Sequence, residues 1–159
     1  MAVNPNSHII GVAGGKGGVG KSVVAANLSL SFLLEMRQPT ALIDLDSRGC
    51  GDQCFILGLR EAKTIADLCA FQGAITPQSI ASAVTAHPQS GLGFVAGVRT
   101  REETFNPPLE VALRQIEALT NIYRYVIVDL GSEMGPLQMS VIERATAVLI
   151  VTLPEVLAI

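Results

Sequence analysis

"GVAGGKGGVGKS", residues 11–22, holds six of the chain's fifteen glycines and two of its three lysines. Two glycine codes overlap in it. Gly15, Gly17 and Gly20 satisfy the dinucleotide pattern G-x-G-x-x-G, and Asp44, at the end of the next strand pattern, stands where that pattern expects its ribose partner. Gly15, Gly20, Lys21 and Ser22 also satisfy the longer phosphate-loop pattern G-x-x-x-x-G-K-[ST]. Lys21-Ser22 decides between them, because a dinucleotide loop has no use for either residue there. In a phosphate loop the glycines permit a tight turn, and backbone N–H groups at a helix N-terminus face the phosphates. Lys21 reaches the outer phosphates and Ser22 offers a hydroxyl to Mg²⁺. The candidate nucleotide-binding set is Gly15, Lys16, Gly17, Gly18, Val19, Gly20, Lys21, Ser22 and Val23.

A phosphate loop must follow a strand and open a helix. "HIIGVAG" (8–14) reads as a buried strand and "KSVVAANLSLSFLLEM" (21–36) as a helix. Further along, "TALIDLD" (40–46), "LGFVAGV" (92–98), "YVIVDLG" (125–131) and "AVLIVTL" (147–153) read as strands. Short helices are expected between Thr64 and Thr85, the first opened by a Thr64 cap with Asp67 three residues on. Longer helices are expected over 109–122 and 136–145. Nearly unbroken apolar strands alternating with helices predict an α/β fold, a mostly parallel sheet with helices on both faces. Ligands bind such sheets at the carboxyl ends of the strands.

Three acids fall at those ends. Asp44 and Asp46 close the second strand, where alternation would put both on one side. Asp129 closes "YVIVD" after four largely apolar residues, the pattern of an acid that holds Mg²⁺. With Ser22, Asp129 makes a candidate metal pair.

The 159 residues suit a single domain, 1–159. A hydrophobic content of 49% with 16% charged residues is globular, and the longest apolar runs are too short to span a bilayer. The N-terminus lacks a basic region followed by an apolar one, so a cytoplasmic address is expected. Cys50, Cys54 and Cys69 are expected as reduced, buried thiols, with no His or Cys at zinc-ligand spacing. The net charge of −3 gives DNA binding no support. Pro154 and Glu155 stand as at a helix start four residues before Ile159, which predicts that the domain continues beyond the chain.

Lys16 is the residue the phosphate loop alone leaves over. "KGGVGKS" (16–22) resembles, at every position, the K-G-G-x-G-K-[ST] loop of the deviant Walker ATPases of the ParA/MinD class. The resemblance implies a P-loop NTPase fold, ATP as substrate with Mg²⁺, and a slow ATPase acting as a dimerisation and localisation switch. It further implies that Lys16 crosses an ATP-dependent homodimer to the opposite subunit's phosphates, that Asp46 orients the attacking water, and that Asp44 joins Ser22 and Asp129 in the metal set. Lys16, Lys21 and Asp46 are then the catalytic set. "VTLPEV" (151–156) matches that class's T-x-P-E segment, whereas Ser47-Arg48 and Gly131 stand where relatives carry Pro-Gln and Pro. Glycine at 131 is expected to loosen the second switch loop.

Within the class, "DLDSRGCGDQCFILGL" followed by "TIADLC" looks most like the CpaE/TadZ pilus-assembly branch. That likeness implies partners in a pilus, secretion or positioning apparatus, and a polar or membrane-peripheral location through them. A partition ATPase acting on DNA or cargo, and a nucleotide-binding scaffold with little turnover, are the alternatives. No amphipathic membrane anchor is visible.

Overall fold

The computed structural model describes residues 4–46, 52–98 and 107–154. Ser47, Arg48, Cys50 and Glu155, singled out above, lie outside the described residues.

Six strands make one sheet: β1 (His8–Ala13), β2 (Thr40–Asp44), β3 (Thr85–Ala86), β4 (Gly93–Val95), β5 (Tyr125–Asp129) and β6 (Ala147–Ile150). Their order is β3-β4-β2-β5-β1-β6. Every pairing is parallel except the short antiparallel β3–β4 contact. The expected mostly parallel α/β sheet is therefore present. The two-residue β3 carries too little pattern to be read from sequence.

Period-two alternation sorts the strand side chains onto two faces. Ile9, Ala13, Ile43, Val95, Val126 and Val128 join one core cluster; there they meet α3 (Ile65–Ala70), α4 (Leu109–Leu119) and α5 (Pro136–Arg144). Val12, Leu42, Phe94 and Ile127 join the other cluster, with Ala25 and Ala26 of α1 (Lys21–Leu34) and with Leu57, which follows α2 (Asp52–Ile56). Helix α4 turns Ala112, Leu113, Ile116 and Leu119 inward at helical spacing. Each fully buried Leu or Ile of this kind stabilises the fold by about 1.5–3 kcal/mol. The expected cap of α3 is a reciprocal capping box. Thr64 N–H donates to Asp67 Oδ2 at 2.8 Å, and Asp67 N–H donates to Thr64 Oγ1 at 3.3 Å.

Two features bear on the site. Strand β2 ends at Asp44, with Leu45 N–H still bonded to the Asp129 carbonyl at 2.8 Å. At the far edge, β6 leaves Leu149 and Ile150 exposed.

Candidate nucleotide and metal site

The loop of residues 14–20 runs from the carboxyl end of β1 into α1, as the phosphate-loop pattern requires. Gly18 and Gly20 have φ of 78° and 96°, a left-handed backbone that glycine adopts without strain. Gly20 caps α1 with no side-chain hydrogen bond, and the first turn carries no acid. The helix thus presents its first N–H groups and its positive dipole end to whatever occupies the loop, an anion site by construction. Val19 is buried and pins the loop, while Gly15, Lys16, Gly17 and Gly18 are exposed. Lys21 is only 5% exposed, and its ammonium donates to the Lys16 carbonyl at 3.0 Å. The cation is folded into the loop it would serve.

The acids lie beside this loop. Asp44 and Asp129 are direct register partners on neighbouring parallel strands, both buried. By alternation with Leu42 and Ile127 they point to the α1 side of the sheet. Each is held by the backbone two residues on: Asp46 N–H donates to Asp44 Oδ1 at 2.9 Å, and Gly131 N–H to Asp129 Oδ1 at 3.1 Å.

Asp46 stands two residues beyond the end of β2. Its half-buried carboxylate lies against Gly131. A Cβ on Gly131 would stand 2.6 Å from Asp46 Cγ and 2.8 Å from its Oδ1. Gly131 also has φ of 68°, which proline's ring forbids. The glycine that was expected to loosen the second switch thus has a positive role: it lets the segments after β2 and β5 approach within contact.

Two glutamines complete the site, and no motif announces either. Gln53 of α2 is 1% exposed, and its Nε2 donates to the Ser22 carbonyl at 3.0 Å and to Asp129 Oδ2 at 2.9 Å. Both neighbours are acceptors, so the amide nitrogen must face them. Gln53 Oε1 is then a buried acceptor with no partner among the described residues. Leaving such a group unpaired costs about 1–3 kcal/mol. Gln138 of α5 is also buried and donates to the Leu45 carbonyl at 2.8 Å, tying that helix to the end of β2. The only available signal is a polar residue placed inside an apolar pattern.

The donor set suits a hard divalent cation. Among the described residues no three His, Cys, Asp or Glu side chains form a self-contained cage. Mg²⁺ characteristically takes one or two carboxylates and completes its shell with water and substrate phosphates. Burial, and then the neighbouring Asp129 carboxylate, push Asp44 well above the usual carboxylate range; Asp46 and Asp52 add to this, and only the Asp46 N–H opposes it. Burial and neighbouring like charge both disfavour the ionised form of Asp44 here.

A pH dependence follows from that shift. Asp44 holds its proton more tightly folded than unfolded, so the folded chain binds more protons between the ordinary carboxylate pKa and the raised one. Stability therefore falls as pH rises through that window. Asp44→Asn keeps the acceptor for Asp46 N–H and removes the charge. It is expected to flatten the slope and to raise Tm above the window by about 2–4 °C per 1 kcal/mol regained. Melts of both proteins across pH without divalent cation check this; parallel curves would assign the slope elsewhere.

Among the described residues Cys54 and Cys69 form no disulfide; both are half-buried rather than fully buried, and burial pushes the Cys69 thiol up.

Residues 6–159 match the ParA family, described as NUBPL iron-transfer P-loop NTPase. The chain belongs to the ParA family. Among solved structures, this ParA-family chain is similar to the ParA family ATPase from Chlorobium tepidum TLS, with a TM-score of 0.83 and 25% identity over 96% of this chain and 63% of that one. It is also similar to a chain of the MinC:MinD cell division protein complex of Aquifex aeolicus, at TM-score 0.72 and 26% identity, covering 96% of this chain and 59% of that one. The flagellum site-determining protein YlxH of Helicobacter pylori is 30% identical over 157 residues, 97% of this chain and 51% of that protein. The ParA-family chain spans about half the length of the curated relatives it matches. Among its described residues no helix is long and apolar enough to cross a membrane.

Proposed function

We propose that this protein is an ATP-hydrolysing switch. The observation that carries the reading is the meeting of an uncapped, glycine-led helix N-terminus and a buried Lys21 with the in-register pair Asp44–Asp129. The ATP assignment is supported by the likeness to a ParA family ATPase.

In this reading the loop N–H groups and Lys21 bind the β- and γ-phosphates, and Lys21 exchanges the Lys16 carbonyl for phosphate oxygen. Ser22, Asp44 and Asp129 would hold Mg²⁺, which when bound offsets the charge that builds on the transferring phosphoryl group. Asp46, carried on the turn after β2, orients a water for in-line attack on the γ-phosphate. No covalent intermediate forms; positioning and charge stabilisation supply the acceleration. Lys16 is exposed at the loop's rim and serves the phosphates of a second copy. A cation that arrives only on assembly makes turnover slow in the monomer and couples nucleotide state to dimerisation.

Exposed apolar side chains on the segments that carry the site support a partner-facing surface: Val23 on the first turn of α1, Phe55 in α2, and Met134 between β5 and α5. Relatives named for site determination and cell division favour a positioning role. Within it, the Gly51-Asp52, Leu57-Gly58-Leu59 and Ile65-Ala66-Asp67-Leu68 segments favour assembly of a pilus or secretion apparatus on the cytoplasmic side, with location set by protein partners.

Sedimentation velocity of Asp46→Ala with Mg-ATP, read at nucleotide and protein wavelengths, tests the switch. The expected result is nucleotide co-sedimenting at doubled mass, with the doubling lost in Asp46→Ala/Lys16→Ala. Nucleotide riding on a monomer would remove the dimer, and the role of Lys16 with it.

A further inference from the structure

Gln53 is buried, bonds to the Ser22 backbone and the Asp129 carboxylate, and belongs to no motif. Its amide nitrogen bridges the Ser22 carbonyl and Asp129 Oδ2, while its carbonyl oxygen, on the same carbon, is shut away from solvent without a donor among the described residues. An apolar residue there would leave Asp129 Oδ2 without this donor. A carboxylate would bring no N–H to Asp129 and would add like charge beside it. An amide gives one end to the acid and keeps the other as an acceptor in the same niche. Mg²⁺ retains several of its waters when bound, and those waters are polarised into strong hydrogen-bond donors.

We propose that Gln53 is a positioning residue of the metal site: its N–H fixes the Asp129 carboxylate, and its Oε1 accepts a hydrogen bond from a water of the bound cation. The inference rests on the Mg-nucleotide reading above and adds to it a residue from α2, which carries none of the candidate nucleotide or metal residues. Outer partners of this kind orient ligands and commonly govern 10–100-fold in metal affinity.

The test uses Mn²⁺ as probe, titrated by electron paramagnetic resonance into the chain with a non-hydrolysable ATP analogue. Gln53→Met removes donor and acceptor at similar length; Gln53→Glu keeps an acceptor and loses the donor. Analogue affinity in EDTA and a thermal melt accompany each variant. The expected result is an Mn²⁺ affinity about tenfold weaker in Gln53→Met and weakened less in Gln53→Glu, which keeps the acceptor, with analogue affinity in EDTA unchanged in both. Equal weakening in both variants, or unaltered Mn²⁺ affinity in Gln53→Met, would overturn the assignment while leaving the nucleotide site standing. Failure of the unaltered chain to bind the analogue would overturn the underlying reading as well.

Discussion

Lys21→Ala is expected to weaken ATP binding by about 100-fold or more, the loss of roughly two charge-assisted hydrogen bonds. The side chain is 5% exposed, and its ammonium already lies inside the loop, 3.0 Å from the Lys16 carbonyl. Little further ordering is needed for it to meet phosphate, so most of its interaction energy appears as affinity. The carbonyl left behind belongs to an exposed residue and takes water instead, which keeps the fold intact. Equilibrium binding of a fluorescent ATP analogue, with a circular-dichroism melt alongside, checks this. A change under threefold would mean that the glycine loop is structural and that the chain binds no triphosphate there.

The second large effect is expected at Gly131, a residue outside every candidate set. Gly131→Ala places a methyl 2.6 Å from Asp46 Cγ and demands φ of 68° from a residue that resists it. The alanine and the carboxylate cannot both stay. The buried Asp129 is anchored through Gln53 as well as Gly131, so Asp46 is the group displaced. A shift of about 1 Å in a water-orienting group costs on the order of 100-fold in turnover. Lys21 and the loop are untouched, so ATP affinity should stay within about threefold. Steady-state phosphate release and analogue binding, measured on one preparation, separate the two quantities. Undiminished turnover would show that Asp46 does not act from its position against Gly131. Gly131→Pro should behave at least as badly, since φ near −65° cannot replace the left-handed turn.

Much of the site is legible in the chain itself, for a local reason. A glycine loop between a strand and a helix is a contiguous backbone conformation. Gly18 and Gly20, with their positive φ, and Lys21-Ser22 at the helix start are specified by neighbours in the chain. The strand-ending acids are legible too, because four or five apolar residues followed by Asp mark where a buried strand meets its carboxyl edge. The capping box of Thr64 and Asp67 spans three residues and is equally readable. Alternation carries no information as far as Asp46, since the strand stops at Asp44. Helix α2 leaves no such trace: five residues hold little more than one turn, too few to show a period.

By itself the sequence determined the phosphate loop, the alternation of strands and helices that makes a mostly parallel sheet, and the acids at the strand ends. Each of these is written in residues a few positions apart, where backbone sterics and side-chain periodicity act. Only the tertiary structure decided which of those ends meet. Strand order sets β2 against β5, so that Asp44 faces Asp129 in register, 85 positions along the chain. It brings Gln53 to an acid 76 positions away and Gln138 to a carbonyl 93 positions away. It also presses Asp46 against the one residue type that leaves it room. Burial makes these contacts consequential, since an unpaired amide or an uncompensated carboxylate is costly only after water has been excluded.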